Sequence, residues 1–191
     1  MAAEPGLRSS DCLLIVDVQK DFCPGGALGV EDGDAVAAAL DPWIGAAKEA
    51  GAKIVASRDW HPQHHVSFEE RGGPWPPHCV QDTLGAELHP RLRLPDEAEI
   101  ISKGTNENRD AYSAFDGTGL ADELRDAGVE RVVIGGLTLD YCVKETALDA
   151  REAGFETLLI AEATRPVEAR PGDGRRAIEE MKEAGVEVLE K

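Results

Sequence analysis

Residues 12–18 read CLLIVDV, a short apolar run that contains a single carboxylate, Asp17. Runs of this kind are typical of strands that are buried on both faces of a parallel sheet. Similar short apolar runs recur along the chain, and we predict a strand at each of them. The further predicted strands cover residues 53–57, 99–102, 131–137, 156–161 and 186–189.

Between these strands the pattern changes to that of helices. Four segments, residues 34–50, 119–127, 140–153 and 173–184, are each followed directly by a glycine, the residue that most often ends a helix. Pro42 should kink or divide the first of them. The alternation predicts one α/β domain over residues 1–191, with a flexible N-terminal segment at residues 1–10. We expect a six-stranded, mainly parallel sheet with helices on both faces, a Rossmann-like three-layer arrangement.

Composition narrows the classes of partner. The formal net charge is −17, which disfavours nucleic acid and anionic lipid, and no apolar run is long enough for a signal peptide or a membrane span. The four cysteines form no CxxC pair, and a chain of this length needs no disulfides to fold. We therefore expect a cytoplasmic protein with a small-molecule substrate, and we leave homo-oligomerisation open.

Four polar residues follow four predicted strands. Asp17 ends the first strand, Asp59 follows the second, Lys103 follows the third, and Cys142 lies just after the fourth. Ligands of open parallel sheets bind beyond the carboxyl ends of the strands, so these residues should meet at one rim.

Three of these residues suit nucleophilic catalysis. Cys142 should lie in the first turn of a helix, where free N–H groups lower the pKa of a thiol and can form an oxyanion hole. Asp17 could then act as the base, with Lys103 holding it charged and close. Taken singly, each has an ordinary alternative: a buried structural cysteine, a strand-end turn and a surface lysine.

A histidine-rich region between the second and third strands offers metal ligands. Asp59 and His61 form an Asp-x-His pair, and His78 follows seventeen residues later. Two imidazoles and one carboxylate suit Zn²⁺, Mn²⁺ or Fe²⁺. The alternative is a polar surface loop. Spare ligands in this region are His64, His65 and Glu70.

Two aromatic residues lie in the predicted loops beside this rim. Phe22 and Trp75 could flank a flat substrate, or they could simply be core residues.

Several long motifs resemble those of nicotinamidases, also called pyrazinamidases, within the isochorismatase-like cysteine hydrolases. They are IVDVQKDFCPGGAL, SRDWHPQHHVSF, GPWPPHCVQDTLGAELHP, KGTNENRDAYSAF and GGLTLDYCVKETALDA. The resemblance runs in order from about Asp11 to the last strand. One departure is that the family commonly has Ala-Thr where this chain has Thr138-Leu139.

The resemblance implies a role for each group of residues. The implied catalytic triad is Asp17, Lys103 and Cys142. The implied metal ligands are Asp59, His61 and His78. Phe22 and Trp75 would flank a pyridine ring. Leu137 and Thr138 would be joined by a cis peptide bond in the substrate site, and the N–H groups of Thr138 and Cys142 would form the oxyanion hole.

The activity implied is hydrolysis of nicotinamide to nicotinate and ammonia through a Cys142 thioester, within NAD salvage, and pyrazinamide would be a second substrate. One divalent ion, with Zn²⁺ favoured over Mn²⁺ or Fe²⁺, would orient the pyridine nitrogen. Two other functions compete with this one. An isochorismatase or an N-carbamoyl amidase would generally lack the metal residues, and a catalytically silent binding protein would not need Asp17, Lys103 and Cys142 together.

Overall fold

A single parallel sheet organises the chain. The structure is a computed structural model that describes residues 6–190. Its strands are β1 (Asp11–Val16), β2 (Lys53–Asp59), β3 (Glu99–Lys103), β4 (Arg131–Leu137), β5 (Glu156–Arg165) and β6 (Glu187–Leu189). They are ordered β3-β2-β1-β4-β5-β6, and every pairing is parallel. The predicted six-stranded α/β architecture is confirmed.

The central strand β1 shows why the apolar runs become strands. All six of its residues are buried. Leu13 and Ile15 face one hydrophobic cluster, whereas Cys12, Leu14 and Val16 face the cluster on the opposite side of the sheet. Because both faces are covered, both sets of alternating side chains must be apolar.

The helices cover the two faces unequally. Helix α1 (Ala35–Ala50) packs on one face, and α2 (Leu120–Asp126), α3 (Lys144–Glu152) and α4 (Asp173–Glu183) pack on the other. The predicted helices on both faces are therefore confirmed. Helix α1 continues across Pro42, so of the two predicted outcomes, a kink or a division, the division does not occur. A proline inside a helix costs about 3 kcal/mol, and the buried face of α1 is large enough to offset it.

Several boundaries differ from prediction in ways that affect the site. Strands β2 and β3 continue past their predicted ends at residues 57 and 102, so Asp59 and Lys103 are the last residues of these strands and do not follow them. Strand β1 ends at Val16, and Asp17 adopts a left-handed backbone with φ 48°, which turns the chain out of the sheet. The helix predicted over residues 140–153 begins instead as a π-helical segment, Leu139–Val143, followed by α3. We call Leu139–Val143 the π turn. Segments of this kind are frequent at functional sites.

The predicted flexible segment, residues 1–10, lies partly outside the described residues, which begin at Gly6. Within the described part, the backbone oxygen of Gly6 accepts a hydrogen bond from the Arg131 guanidinium at 2.9 Å. Across residues 6–190, no helix has the length and apolar character needed to span a membrane.

Candidate active site

The strand ends bring four polar side chains to one rim. In the β2–β3 ladder Asp59 is the direct partner of Lys103, and Asp17 follows the last residue of β1 beside them. Strand β4, on the other side of β1, leads into the π turn that carries Cys142. The structure therefore brings together four residues at one rim, as predicted: Asp17, Asp59, Lys103 and Cys142.

Lys103 is the centre of this cluster. Its ammonium nitrogen lies 2.7 Å from Asp17 Oδ2, 2.6 Å from Asp59 Oδ1 and 3.5 Å from Cys142 Sγ. The side chain is buried, which rules out a surface lysine. Burial disfavours its charge, but the two carboxylates outweigh burial and hold the pKa of Lys103 well above its ordinary value.

The two carboxylates that share Lys103 differ in their proton affinity. Burial raises the pKa of Asp17 despite Lys103 and the hydrogen bond from Ser57 Oγ at 2.7 Å. Burial acts on Asp59 in the same direction, but Lys103 and His61 outweigh it and lower the pKa of Asp59. Asp59 is thus suited to hold a permanent charge, and Asp17 is suited to exchange a proton.

Cys142 lies next to Asp17 in a buried setting. One oxygen each from Asp17 and Asp59 and the Cys142 sulfur all lie within 4.8 Å of one another. Burial raises the pKa of the Cys142 thiol well above its ordinary value, although Lys103 acts in the opposite direction. A lowered thiol pKa, expected from a helix N-terminus, is therefore not found, because burial raises the pKa.

Asp59, His61 and His78 form a second buried cluster that shares Asp59 with the first. One ligand atom from each lies within 4.8 Å of the other two. His61 Nδ1 donates to the Gly104 carbonyl and His78 Nδ1 donates to the Pro76 carbonyl, each at 2.9 Å. Because Nδ1 of each ring is engaged by a carbonyl, Nε2 is the atom that each ring can offer to a metal, and His61 Nε2 lies 3.5 Å from Asp59 Oδ2, the third ligand.

The donor chemistry of this cluster fits a divalent transition metal. Two imidazole nitrogens and one carboxylate oxygen are the set found in many catalytic zinc sites, where other positions stay open. Gly104 is required here, because a Cβ at this position would lie 2.5 Å from the His61 ring. Its φ of 62° also favours glycine.

The spare ligands lie elsewhere. His65 stacks on His61 with ring centroids 4.1 Å apart, but both of its nitrogens are engaged, by Ser67 Oγ at 2.7 Å and by the Arg109 carbonyl at 3.1 Å. His64 and Glu70 bind each other at 2.9 Å on the surface. Among residues 6–190, these three side chains do not join the metal-type cluster.

A small cavity opens between the two clusters. The sequence-predicted Phe22, Trp75 and Thr138 line it, together with Asp59, His78 and Cys142. The peptide bond between Leu137 and Thr138 is cis, as the resemblance implies, but Leu137 packs into the hydrophobic core and does not line the cavity. Four lining residues were missed by the sequence analysis: Leu28, Tyr112, Tyr141 and Val167.

Three of the lining residues form an aromatic wall. The rings of Trp75 and Tyr141 meet edge to face with centroids 5.0 Å apart, and Trp75 Nε1 donates to the Tyr112 hydroxyl at 3.0 Å. Tyr141 directly precedes Cys142, so its position next to the predicted nucleophile could have identified it. Together with Phe22, this wall gives the cavity beside Cys142 a mainly aromatic lining, which suits a flat ring.

Gln19 and Asp21 are further residues that sequence reasoning missed. The buried Gln19 amide donates to the Asp59 carbonyl at 2.8 Å, accepts from the Asp59 N–H at 2.8 Å and donates to the Ala86 carbonyl at 2.9 Å. Asp21 Oδ2 accepts the N–H of Cys79, next to His78, at 2.7 Å. Both lie in the motif that contains Asp17, two and four residues after it, and this nearness was the clue that the sequence offered.

Comparisons with known proteins agree with this architecture. An isochorismatase domain matches residues 11–191. The nicotinamidase of Escherichia coli is 39% identical, with 91% of each chain covered. The structure of Pyrococcus horikoshii pyrazinamidase in complex with zinc matches with a TM-score of 0.90 and 50% identity, covering 95% of this chain and 99% of that one. PnC1 from L. infantum, in complex with nicotinate, matches with a TM-score of 0.85 and 39% identity, covering 96% and 94%.

The fold and the site define a hydrolase built on a parallel α/β sheet, with a buried cysteine at its carboxyl rim. The chain belongs to the isochorismatase family.

Proposed function

We propose that this protein is a metal-dependent cysteine amidohydrolase that converts nicotinamide to nicotinate and ammonia, and also hydrolyses pyrazinamide. The observation that carries the proposal is Lys103, which contacts Asp17, Asp59 and Cys142 at the same time and so joins a nucleophile, a base and a metal ligand in one buried cluster. The names of the relatives, nicotinamidase and pyrazinamidase, support the same substrates.

The first half of the proposed reaction forms a thioester. Asp17 takes the proton of Cys142, and the sulfur attacks the amide carbon. The N–H groups of Thr138 and Cys142 stabilise the oxygen of the tetrahedral intermediate. The carbon–nitrogen bond then breaks, and Asp17 returns its proton to the departing nitrogen, which leaves as ammonia.

The second half releases the acid. Asp17, now deprotonated, accepts a proton from a water molecule that attacks the thioester carbon. The carbon–sulfur bond breaks, nicotinate leaves, and the sulfur regains a proton from Asp17. Throughout both halves Lys103 holds the Asp17 carboxylate close to the sulfur and offsets its charge in a buried place.

Asp59, His61 and His78 would hold the metal, and Zn²⁺ fits their donor set best. When bound, the ion would supply a Lewis-acidic position for the pyridine nitrogen. The aromatic wall, with Phe22 on another side, would hold the ring between this position and Cys142.

We place the activity in NAD salvage within the cytoplasm. All four cysteines are unpaired, which suits a reducing compartment. Of the competing functions, a silent binding protein would have no use for a buried lysine shared by two carboxylates, and no observation favours it.

The test is release of ammonia and nicotinate from nicotinamide by the purified, metal-loaded protein. Cys142→Ala should lose at least about 10⁴-fold in kcat, because no other group can form the thioester. Cys12→Ala is the matched control, since it removes a buried thiol from the core, and it should stay active. Substantial activity of Cys142→Ala would remove Cys142 from its role.

Ring selectivity tests the orientation of the substrate. Pyrazinamide should be hydrolysed, whereas benzamide, which has no ring nitrogen, should be poorer by about 10²-fold or more because the metal side would be left unpaired. Equal rates for benzamide and nicotinamide would show that the ring nitrogen has no part in substrate choice.

A further inference from the structure

The loop between β5 and α4, residues 166–172, forms part of the cavity wall. Val167 in this loop lines the cavity together with Cys142 and also packs against the hydrophobic core. Valine is branched at Cβ and has few side-chain conformations, so the position of its backbone sets the position of this wall. The contacts that hold the loop backbone therefore determine how wide the cavity is next to Cys142.

A single carboxylate holds that backbone. Asp140 Oδ1 accepts the N–H of Val167 at 2.8 Å, and Asp140 Oδ2 accepts the N–H of Glu168 at 3.0 Å. Asp140 is 7% exposed, so water competes little for these two charge-assisted hydrogen bonds. Asp140 belongs to the π turn and stands two residues before Cys142.

The far end of the loop is held separately. Glu168, whose backbone is left-handed with φ 55°, accepts the N–H groups of Gly172 and Gly174 with its carboxylate, both at 2.8 Å. These contacts tie the loop to the start of α4 and do not involve the π turn. Asp140 therefore makes the contact that fixes the wall relative to the nucleophile.

We propose that Asp140 is a positioning residue that fixes the Val167 wall relative to Cys142 and thereby limits the size of the group that reaches the sulfur. Val167 and Cys142 line the same cavity, and the Asp140 carboxylate binds the backbone that carries Val167, so it limits how far this wall can move away from the sulfur. The substrate part of this inference rests on the proposed nicotinamidase function, whereas the effect on access to Cys142 does not.

The first test separates binding from chemistry. Asp140→Ala should raise the KM for nicotinamide about tenfold and change kcat by less than about threefold, because it loosens a wall and removes no reacting group. Asp140→Asn keeps one acceptor oxygen but turns an NH2 donor toward the second N–H, so it should also raise KM, and it serves if Asp140→Ala does not fold. A loss confined to kcat in both variants, or an unchanged KM in both, would overturn the proposal.

A double-mutant cycle tests whether Asp140 acts through Val167. Val167→Ala should raise KM by removing the wall directly. If Asp140 acts through this side chain, the double variant should be no worse than the poorer single variant. Effects that multiply would mean that Asp140 acts elsewhere. Asp149→Ala, which removes a carboxylate from α3, is the control and should leave KM unchanged.

The second test needs no substrate. Cys142 is alkylated with iodoacetamide, which is small, and with N-phenylmaleimide, which carries a ring, and the labelling rates are followed by mass spectrometry of the Cys142 peptide. Asp140→Ala and Asp140→Asn should raise the N-phenylmaleimide rate at least about fivefold relative to the iodoacetamide rate. An unchanged ratio in both variants would overturn the proposal. If nicotinamide is not hydrolysed but the labelling ratio rises as expected, the proposed function is wrong and the positioning role of Asp140 is still supported.

Discussion

The two halves of the site are supported in different ways. Asp17 follows β1, Lys103 ends β3 and Cys142 follows β4 in one sheet, so backbone ladders fix their separation. His61, His78 and Trp75 lie in the irregular region between β2 and β3, where isolated bridges replace ladders. Side chains such as Gln19 and Asp21 supply the missing backbone partners there. We call the first group the sheet-borne half of the site and the second the loop-borne half. Activity that depends on the sheet-borne half should be lost only when its own residues change. Function of the loop-borne half should also be lost when a supporting side chain changes.

The largest effect is expected in the sheet-borne half. Lys103→Met should lower kcat about 10³-fold, because two buried carboxylates lose their shared cation beside Cys142. Steady-state kinetics give the loss, and circular dichroism shows whether the sheet persists. Lys182→Met, which removes an exposed lysine paired with Glu190, should change kcat hardly at all. Near-normal turnover of a folded Lys103→Met protein would contradict the central role of this lysine.

Removing a loop-borne ligand should have an intermediate effect. His61→Ala and His78→Ala should each reduce the metal content from about one ion per chain and raise KM, with activity lower by about 10²-fold. Elemental analysis measures the metal directly. His64→Ala is the control, because this histidine is exposed and binds Glu70. Full metal occupancy in both variants would require a different ligand set.

The smallest effect, and the most informative for the comparison, is expected at Gln19. Gln19→Leu removes three buried hydrogen bonds and leaves the Asp59 backbone unpaired, so it should weaken metal affinity about tenfold without touching a ligand. Competition with a chelator measures the affinity. Gln63→Leu, which alters an exposed glutamine in the same region, should have no effect. If Gln19→Leu binds the metal as tightly as the unaltered protein, the loop-borne half does not depend on Gln19 for its geometry.

The fold could be predicted from the sequence because its main determinants are patterns among residues that are close together in the chain. The run at residues 12–18 and the glycines after each helix are patterns of neighbouring residues, and they predict every strand and α-helix, although β5 continues to Arg165 beyond its predicted end at residue 161. The errors arose where tertiary contacts override local preference. The segment before α3 is a π turn where the start of an α-helix is predicted. At Pro42, where the sequence leaves both a kink and a division open, α1 stays continuous because its buried face outweighs one lost hydrogen bond.

The sequence by itself determined the order of strands and helices, and hence that Asp17, Asp59, Lys103 and Cys142 would reach one rim. That inference is sound because parallel strands present their carboxyl ends on the same side. Only the tertiary structure decided which residues surround them: that Leu137 enters the core, that His65 is engaged on both nitrogens, and that Val167 lines the cavity with its N–H bound by Asp140. These contacts join residues far apart in the chain, and their distances and burial arise only when the elements pack together.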